Sequence, residues 1–281
     1  MSLSRNISWT VYICVILFGS FSWLHVNGVW VELPVIIYDL PESWSLGSYL
    51  AVMVQIGSLG PLIYGLFDRL CSQQTGRVLH RLILAMMVLG CSLAVFLAIF
   101  WRYTAPVGGQ PHSLAMLSLV CGLSFVNCLS NVTFMPYVSR FKPDYIVAYF
   151  IGMGMSALVP SALALIQGSG HMDCVLTNKS MDILSTVPVT LVDGNFTMST
   201  TAVPHDLLGT ASSESPSPLY EEVYEAHPVP PRFGFTIFTF ILFAFMCLSA
   251  AAFVYLNYSQ TAKRERVDQA GRNRPDRESS H

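Results

Sequence analysis

The sequence predicts an all-α polytopic membrane protein with six transmembrane helices. Only 11% of its 281 residues are charged and 53% are hydrophobic, whereas an average soluble domain carries about 25% charged residues. Six stretches without Asp, Glu, Lys or Arg reach the roughly 20 residues needed to cross the hydrocarbon layer. The stretches are continuously apolar and do not alternate, which favours helices over a barrel. Six of them in so short a chain argue against the buried core of a soluble protein.

In chain order the six runs are Val11–Val31, Leu46–Phe67, Leu82–Trp101, Ser113–Ser139, Tyr145–Ser169 and Phe233–Leu256. The first run follows Arg5, as a signal peptide would. It is long, however, and no clear small-x-small cleavage site follows it, so we expect a span. With the N-terminus inside, 12 of the 15 basic residues lie on the inner side and only Arg102, Lys179 and Arg232 lie outside. This asymmetry predicts that both termini are cytosolic.

The runs divide the chain into five predicted parts. These are a cytosolic N-terminus (1–10), helices 1–5 (11–169), an extracellular glycosylated loop (170–232), helix 6 (233–256) and a disordered cytosolic tail (257–281). The tail is polar and arginine-rich and has little to bury. Its basic residues are available to the lipid bilayer, although a merely solvated tail explains them as well.

The predicted external loop is rich in Ser, Thr and Pro and is too polar to span a membrane. It contains sequons at Asn178 and Asn195, and glycosylation requires such an accessible loop. Cys174 is the one cysteine predicted to lie outside. A free thiol and a partner beyond this chain both remain open for it.

Most catalytic chemistry has no counterpart in the sequence. There is no glycine-rich phosphate loop with its lysine, no nucleophile elbow and no pair of histidines at metal-ligand spacing. No basic, aromatic-rich surface indicates nucleic acid. We therefore expect no enzyme, no metal, no cofactor and no nucleic-acid partner.

The first candidate binding group lies in the first run. Trp23, Asn27 and Trp30 share one helix face because they are four and three residues apart. Glu32 would point away from that face, but Pro34 disfavours continuation of the helix. We therefore expect Glu32 at the outer helix end, turned toward a cavity. An interfacial aromatic belt explains Trp30 equally well, and a helix–helix hydrogen bond explains Asn27 equally well.

The second candidate group lies in the fourth run, where Ser124, Asn127 and Asn131 are spaced to share a face. Gln55 in the second run adds a third amide. Amides offer donors and acceptors together, which suits a neutral solute with several hydrogen-bonding groups better than an ion. Flanking aromatic rings suit a planar heterocycle, on which they can stack.

Several long motifs, in this order, resemble the eukaryotic riboflavin transporter family. They are Val26–Pro34, Leu40–Leu46, Ser130–Tyr137, Ser156–Pro160 and Ala164–Gly168. The resemblance covers roughly residues 10–256. Within the family, Val54–Pro61 and the loop around Cys174 look most like the plasma-membrane, intestinal type (member 3). Met153 stands where the family pattern has a polar residue.

The resemblance implies carrier-mediated uptake of riboflavin across the plasma membrane. It also implies a two-bundle fold like that of the major facilitator or nucleoside carriers, of which these six spans are the N-terminal bundle. Trp30 would stack on the ring system, Asn27 and Asn131 would bind its polar edges, and Glu32 would accept from the sugar-alcohol hydroxyls or take part in gating. A second bundle, or the full-length carrier, is then an expected partner. The alternative is a non-transporting form that acts as a surface receptor or regulates the full-length carrier.

Overall fold

The computed structural model describes residues 7–70, 75–168, 172–180 and 220–266. They belong to two compact units, one formed by Met1–Gly170 with Pro230–His281 and the other by His171–Val229. The helices of the first unit are α1 (Trp9–Ser20), α2 (Leu24–Ile36), α3 (Leu46–Gly57), α4 (Gly60–Leu70), α5 (Thr75–Phe100), α6 (Leu114–Val138), α7 (Asp144–Gln167), α8 (Phe235–Tyr258) and α9 (Gln260–Arg264). A 3₁₀ helix, Ser43–Ser45, precedes α3. A hairpin of β1 (Ala105–Val107) and β2 (Gln110–His112) connects α5 to α6.

Among the described residues, five helical segments are long and apolar enough to cross a membrane, and the bent pair α1–α2 brings the number to six. The five are Ser43–Leu66, Leu79–Phe100, Leu114–Val138, Asp144–Gln167 and Phe235–Tyr258. All six coincide with the apolar runs of the sequence. The predicted all-α polytopic membrane fold is confirmed.

The first span is a broken helix, which corrects the expectation of one continuous run. α1 and α2 meet at an angle of 53°. Trp23 takes a left-handed backbone conformation between them, with φ 65°. Such a conformation costs a residue other than glycine about 1–2 kcal/mol, so the surrounding structure must hold Trp23 in place. The apolarity of the run gave no sign of this break, because both halves are predominantly apolar.

The expectation that the helix stops before Pro34 is wrong. α2 continues through Pro34 to Ile36, and the N–H of Ile37 still donates to Leu33 O at 3.1 Å. Proline removes the one hydrogen bond that its own N–H would make to Trp30 O. This loss is tolerable so close to the helix end, where Val29 and Ile36 remain buried against neighbouring helices.

Glycines allow two pairs of helices to approach closely. A Cβ atom on Gly152 of α7 would overlap the carbonyl oxygen of Ile16 in α1, and one on Gly19 would lie 2.5 Å from Tyr149 O. In the α3–α6 contact, a Cβ atom on Gly57 would lie 2.6 Å from Ser124 Cβ. Small residues at such crossings are typical of membrane bundles, in which close packing replaces the hydrophobic effect between helices.

The centre of the bundle is a stack of aromatic rings. Phe18 of α1 stacks on Phe134 of α6 with ring centroids 4.3 Å apart and on Phe253 of α8 at 5.2 Å. Tyr137 packs beside both Phe18 and Phe253. Aromatic pairs of this kind contribute about 0.5–1.5 kcal/mol each, so this cluster joins three helices that are far apart in sequence.

At the end of the bundle that carries the β1–β2 hairpin, called the hairpin end below, Glu42 holds the α2–α3 connection to the start of α6. Its carboxylate accepts from Ser113 N–H at 2.6 Å and from Ser113 Oγ at 2.7 Å, and His112 Nδ1 lies 3.3 Å away. Burial alone would raise the pKa of Glu42, but the hydrogen bonds from Ser113 and His112 outweigh burial and lower that pKa. A second link joins Arg102 to Asp39 at 2.8 Å.

At the opposite end, part of the predicted disordered tail is ordered. α8 extends to Tyr258, and α9 follows directly. Arg266 folds back to donate to Leu256 O at 2.9 Å and to Asn257 Oδ1 at 3.2 Å, and its guanidinium lies over the ring of Phe141. Lys142 pairs with Glu265 at 2.7 Å. These contacts explain why the segment up to Arg266 is fixed; residues 267–281 lie outside the described residues.

The second unit contains strands β3 (Met172–Ser180) and β4 (Tyr220–Pro228), which pair antiparallel from Met172↔Pro228 to Ser180↔Tyr220. Asn178 and Cys174 belong to β3, but their side chains are outside the part of the structure that is described. Asn195 also lies outside the described residues. Glycosylation of this segment therefore stays a prediction.

Candidate functional site

The break between α1 and α2 places an indole beside an amide of α6. Trp23 Nε1 donates to Asn131 Oδ1 at 3.3 Å. The N–H of Asn27 donates to Trp23 O at 2.8 Å and so starts the first turn of α2. The free N–H groups and partial positive charge of a helix start therefore lie next to Trp23. Two of the predicted residues, Trp23 and Asn131, are thus in direct contact.

Asn27 lies one turn further along α2 and connects it to α7. Its Nδ2 donates to the backbone oxygen of Ser156 at 3.3 Å. This is the helix–helix hydrogen bond that the sequence left open as an alternative. Among the described residues this bond engages Nδ2 of Asn27 and leaves its Oδ1 without a donor, so Oδ1 is still able to accept. We call the partly exposed group Trp23, Asn27 and Asn131 the amide strip.

Trp30 lies three residues beyond Asn27, on the same face of α2, and 39% of its surface is exposed. This exposure fits both predicted roles, a wall for a ring and a residue of the interfacial belt. Its neighbour Pro34, one turn further on, is also exposed.

A layer of hydroxyl groups supports the amide strip from inside. Ser22 Oγ and Ser130 Oγ are 3.0 Å apart and both are buried, and Ser130 Oγ also donates to Asn127 O at 2.6 Å. The sequence analysis did not select Ser22. The sequence feature that could have indicated it is a serine next to a tryptophan in an otherwise apolar run.

Two other predicted residues do not join the strip. Asn127 is only 3% exposed, and its Nδ2 has no hydrogen-bond partner among the described residues. Four residues along a helix correspond to a rotation of about 40° from Asn131, enough to move Asn127 from the edge of the face into the interior. Gln55 is exposed on α3, and among the described residues its side chain has no hydrogen bond to the strip.

Glu32 does not line a cavity, contrary to expectation. It is fully buried and accepts a hydrogen bond from Gln167 Nε2 at 3.2 Å. Gln167 ends α7 and also donates to Phe233 O at 2.6 Å. The sequence analysis contained Gln167 within a motif but gave it no role; an amide at the end of an apolar run was the usable signal.

Within the described residues no group of three or more His, Cys, Asp or Glu side chains could hold a metal ion. The chemistry on offer is hydrogen bonding and ring stacking. Membrane-spanning helices with a break beside such groups are the arrangement in which transporters build solute sites. Fold and site thus define a polytopic membrane protein of the transporter class.

Comparison with known proteins identifies the family. The model of the solute carrier family 52 riboflavin transporters matches residues 7–281, and the chain belongs to this family. It is 45% identical to human riboflavin transporter member 1 over 163 residues, which are 58% of this chain and 36% of that protein. It is 35% identical to riboflavin transporter 2 of Salmo salar over 91% of this chain and 50% of that protein.

The chain is also 37% identical to riboflavin transporter member 3-A of Danio rerio, over 85% of this chain and 46% of that protein. It thus spans between about a third and a half of the length of these relatives. No solved structure matches the chain.

Proposed function

We propose that this chain forms one helical bundle of a plasma-membrane riboflavin transporter and contributes the amide strip to its substrate site. Family membership and the names of the relatives support riboflavin as the solute. The observation that carries the proposal is the broken first span, which places Trp23, Asn27 and Asn131 together on a partly exposed face.

The strip suits the edge of a flavin ring. The ring carries two carbonyl acceptors on either side of one N–H donor. Trp23 Nε1 occupies Asn131 Oδ1, which leaves the amide nitrogen of Asn131 as a donor for a carbonyl. Asn27 offers the opposite group, because its Nδ2 is engaged by Ser156 and its Oδ1 remains as an acceptor. Trp30 would stack on the ring.

Rocking of two bundles about a site between them is the usual transport mechanism of such folds. The proposal therefore assigns this bundle half of the site and a second bundle, or a full-length carrier, as its partner. The receptor or regulator role has no structural observation in its favour.

The proposal includes cytosolic termini and an external segment 170–232. Glycosidase treatment of the chain from cultured cells should shift its gel mobility. The Asn178→Gln and Asn195→Gln variants should each remove part of that shift. A chain whose mobility is unchanged by the enzyme contradicts glycosylation at these sites.

Riboflavin binding by the purified chain in nanodiscs tests the substrate site, with quenching of flavin fluorescence as the readout. Asn27→Ala and Asn131→Ala should each weaken binding about tenfold, as expected for loss of one buried hydrogen bond. Ser92→Ala serves as the control, because Ser92 is exposed and its hydroxyl donates to Val88 O of its own helix. Gln55→Ala tests whether the site is limited to the amide strip, because Gln55 was predicted for the site and lies outside the strip; its binding should be unchanged. Equal affinity in all four variants would refute the site.

A further inference from the structure

Glu32 and Gln167 form an isolated polar pair in the interior of the bundle at its hairpin end. Both side chains are 0% exposed. Gln167 Nε2 donates to Glu32 Oε2 at 3.2 Å and to Phe233 O at 2.6 Å. The pair thus joins α2 to the end of α7 and to the residues that lead into α8.

The pair contains two acceptors without a donor. Glu32 Oε1 and Gln167 Oε1 are both buried, and neither has a hydrogen-bond partner among the described residues. Turning the amide over would not help, since Oε1 would then face the carbonyl of Phe233 at the 2.6 Å contact. The orientation of Gln167 is therefore fixed, and the pair lacks one hydrogen atom.

No cation neutralises Glu32 in the described structure, where its oxygens have no Lys, Arg or His nitrogen within 4.0 Å. Of the helices packed against α2, α6 and α8 contain no Asp, Glu, Lys or Arg, and α7 contains only Asp144 at its far end. Arg232 donates its backbone N–H to Gln167 O and its Nη1 to Ile166 O. His25, on the same face of α2, is buried, and neither of its ring nitrogens meets the geometric criteria for a hydrogen bond with any residue that the structure describes.

An ionised carboxylate in this place would be buried without a cation and with one oxygen unsatisfied, which is strongly unfavourable. A proton on Oε1 removes the charge and supplies the missing donor, because a carboxylic acid O–H can bond to the free Oε1 of the amide already joined to it. One hydrogen ion taken from water thus satisfies both orphaned acceptors.

We propose that Glu32 is a proton-binding site, and that the neutral acid, held by Gln167, fastens α2 to the α7–α8 connection. Release of the proton leaves a charge that this interior cannot hold, so the link opens when Glu32 ionises. The argument uses no property of riboflavin and goes beyond the proposed function. Failure of riboflavin binding would leave it intact.

Infrared spectroscopy of the purified chain in nanodiscs tests the protonation state directly. At neutral pH the wild type should show the carbonyl band of a protonated carboxyl group, which shifts in D₂O and is missing in Glu32→Gln. Glu42→Gln is the matched control and should leave this band unchanged, because the hydrogen bonds from Ser113 and His112 lower the pKa of Glu42 and so favour its ionised form. No such band at neutral pH, or a band that persists in Glu32→Gln, overturns the proposal.

Gln167→Leu provides a second variant that keeps the acid and removes its partner. Its band should remain and move to the higher frequency of a carboxyl group without a hydrogen bond; an unmoved band overturns the pairing. Thermal unfolding gives a third reading. Between the ordinary pKa of glutamate and the pH at which the buried acid ionises, the wild-type Tm should fall by about 3–5 °C per pH unit relative to Glu32→Gln and then level off, because only the folded chain holds the proton in that range. Parallel pH profiles of the two proteins overturn the proposal.

Discussion

Replacing Glu42 by alanine should destabilise the bundle, because this carboxylate is the only described acceptor for two buried donors at the start of α6. Glu42 is 8% exposed, and Ser113 is fully buried. The alanine leaves the N–H and the hydroxyl of Ser113 without the acceptor that they meet at 2.6 and 2.7 Å. A buried donor left without a partner costs about 1–3 kcal/mol, so we expect a loss of about 2–5 kcal/mol.

For a chain of this size, that loss corresponds to a fall in Tm of about 5–15 °C. Thermal unfolding in detergent, followed by tryptophan fluorescence, measures it. Glu42→Gln should lose less, because its amide oxygen can still accept one of the two bonds. Combining Glu42→Ala with Ser113→Ala should cost less than the sum of the single losses, since both remove the Oγ bond. Additive losses would refute this account of the contact.

The pH dependence of the same contact has a definite sign. Hydrogen bonds from Ser113 and His112 lower the pKa of Glu42 in the folded chain. Its stabilising contribution is therefore present above the ordinary pKa of glutamate and is lost as the pH falls through the lowered value. The stability difference between wild type and Glu42→Ala should shrink on acidification. A difference that grows at acidic pH contradicts the assigned hydrogen bonds.

Two further predictions concern helix contacts. Gly152→Ala should destabilise the chain by about 1–3 kcal/mol in thermal unfolding, because the added Cβ would overlap Ile16 O. Gly154→Ala is the control: its Cβ would meet no atom within 4 Å, so it should stabilise the chain by about 0.5–1 kcal/mol. Equal effects of the two variants would contradict the α1–α7 packing. Arg266→Ala should make the segment after α8 more sensitive to trypsin and lower stability by about 1–3 kcal/mol, because charged hydrogen bonds to Leu256 O and Asn257 Oδ1 are lost. The exposed Arg264→Ala should change little, and equal sensitivity of both variants would refute the role of Arg266.

The sequence predicted the spans well because a long apolar run without charges is stable in few environments other than the hydrocarbon layer of a bilayer. It did not predict the break at Trp23. A left-handed tryptophan has no local signature, and tertiary contacts such as that with Asn131 hold it there. Pro34 gave a wrong prediction of the helix end for a related reason. The free energy that a proline costs a helix depends on how close the helix end lies and on which side chains that end buries.

The candidate site was predicted in part. The spacing of Trp23 and Asn27 placed them on one face, and Asn131 contacts Trp23 across the bundle. Helical spacing alone could not separate Asn131 from Asn127, because the edge of a buried face is set by neighbouring helices. Nor could it show that Glu32 is buried, since the partner that holds it, Gln167, lies on a different helix.

Glu32 and Glu42 lie on either side of the α2–α3 connection and depend on opposite protonation states. Glu42 accepts both hydrogen bonds from Ser113 best as the carboxylate, whereas the pair of Glu32 with Gln167 lacks a hydrogen atom that only the neutral acid supplies. The contribution of Glu42 rises until the pH reaches the ordinary pKa of glutamate, and that of Glu32 falls from there until the buried acid ionises, so stability should be greatest near the ordinary pKa of glutamate and fall on each side. Glu42→Gln should flatten the acidic limb of that profile and Glu32→Gln the alkaline limb. The two links lie at the same end of the bundle, so a loss of stability at acidic pH indicates the Glu42–Ser113 link and a loss at higher pH indicates the Glu32–Gln167 link.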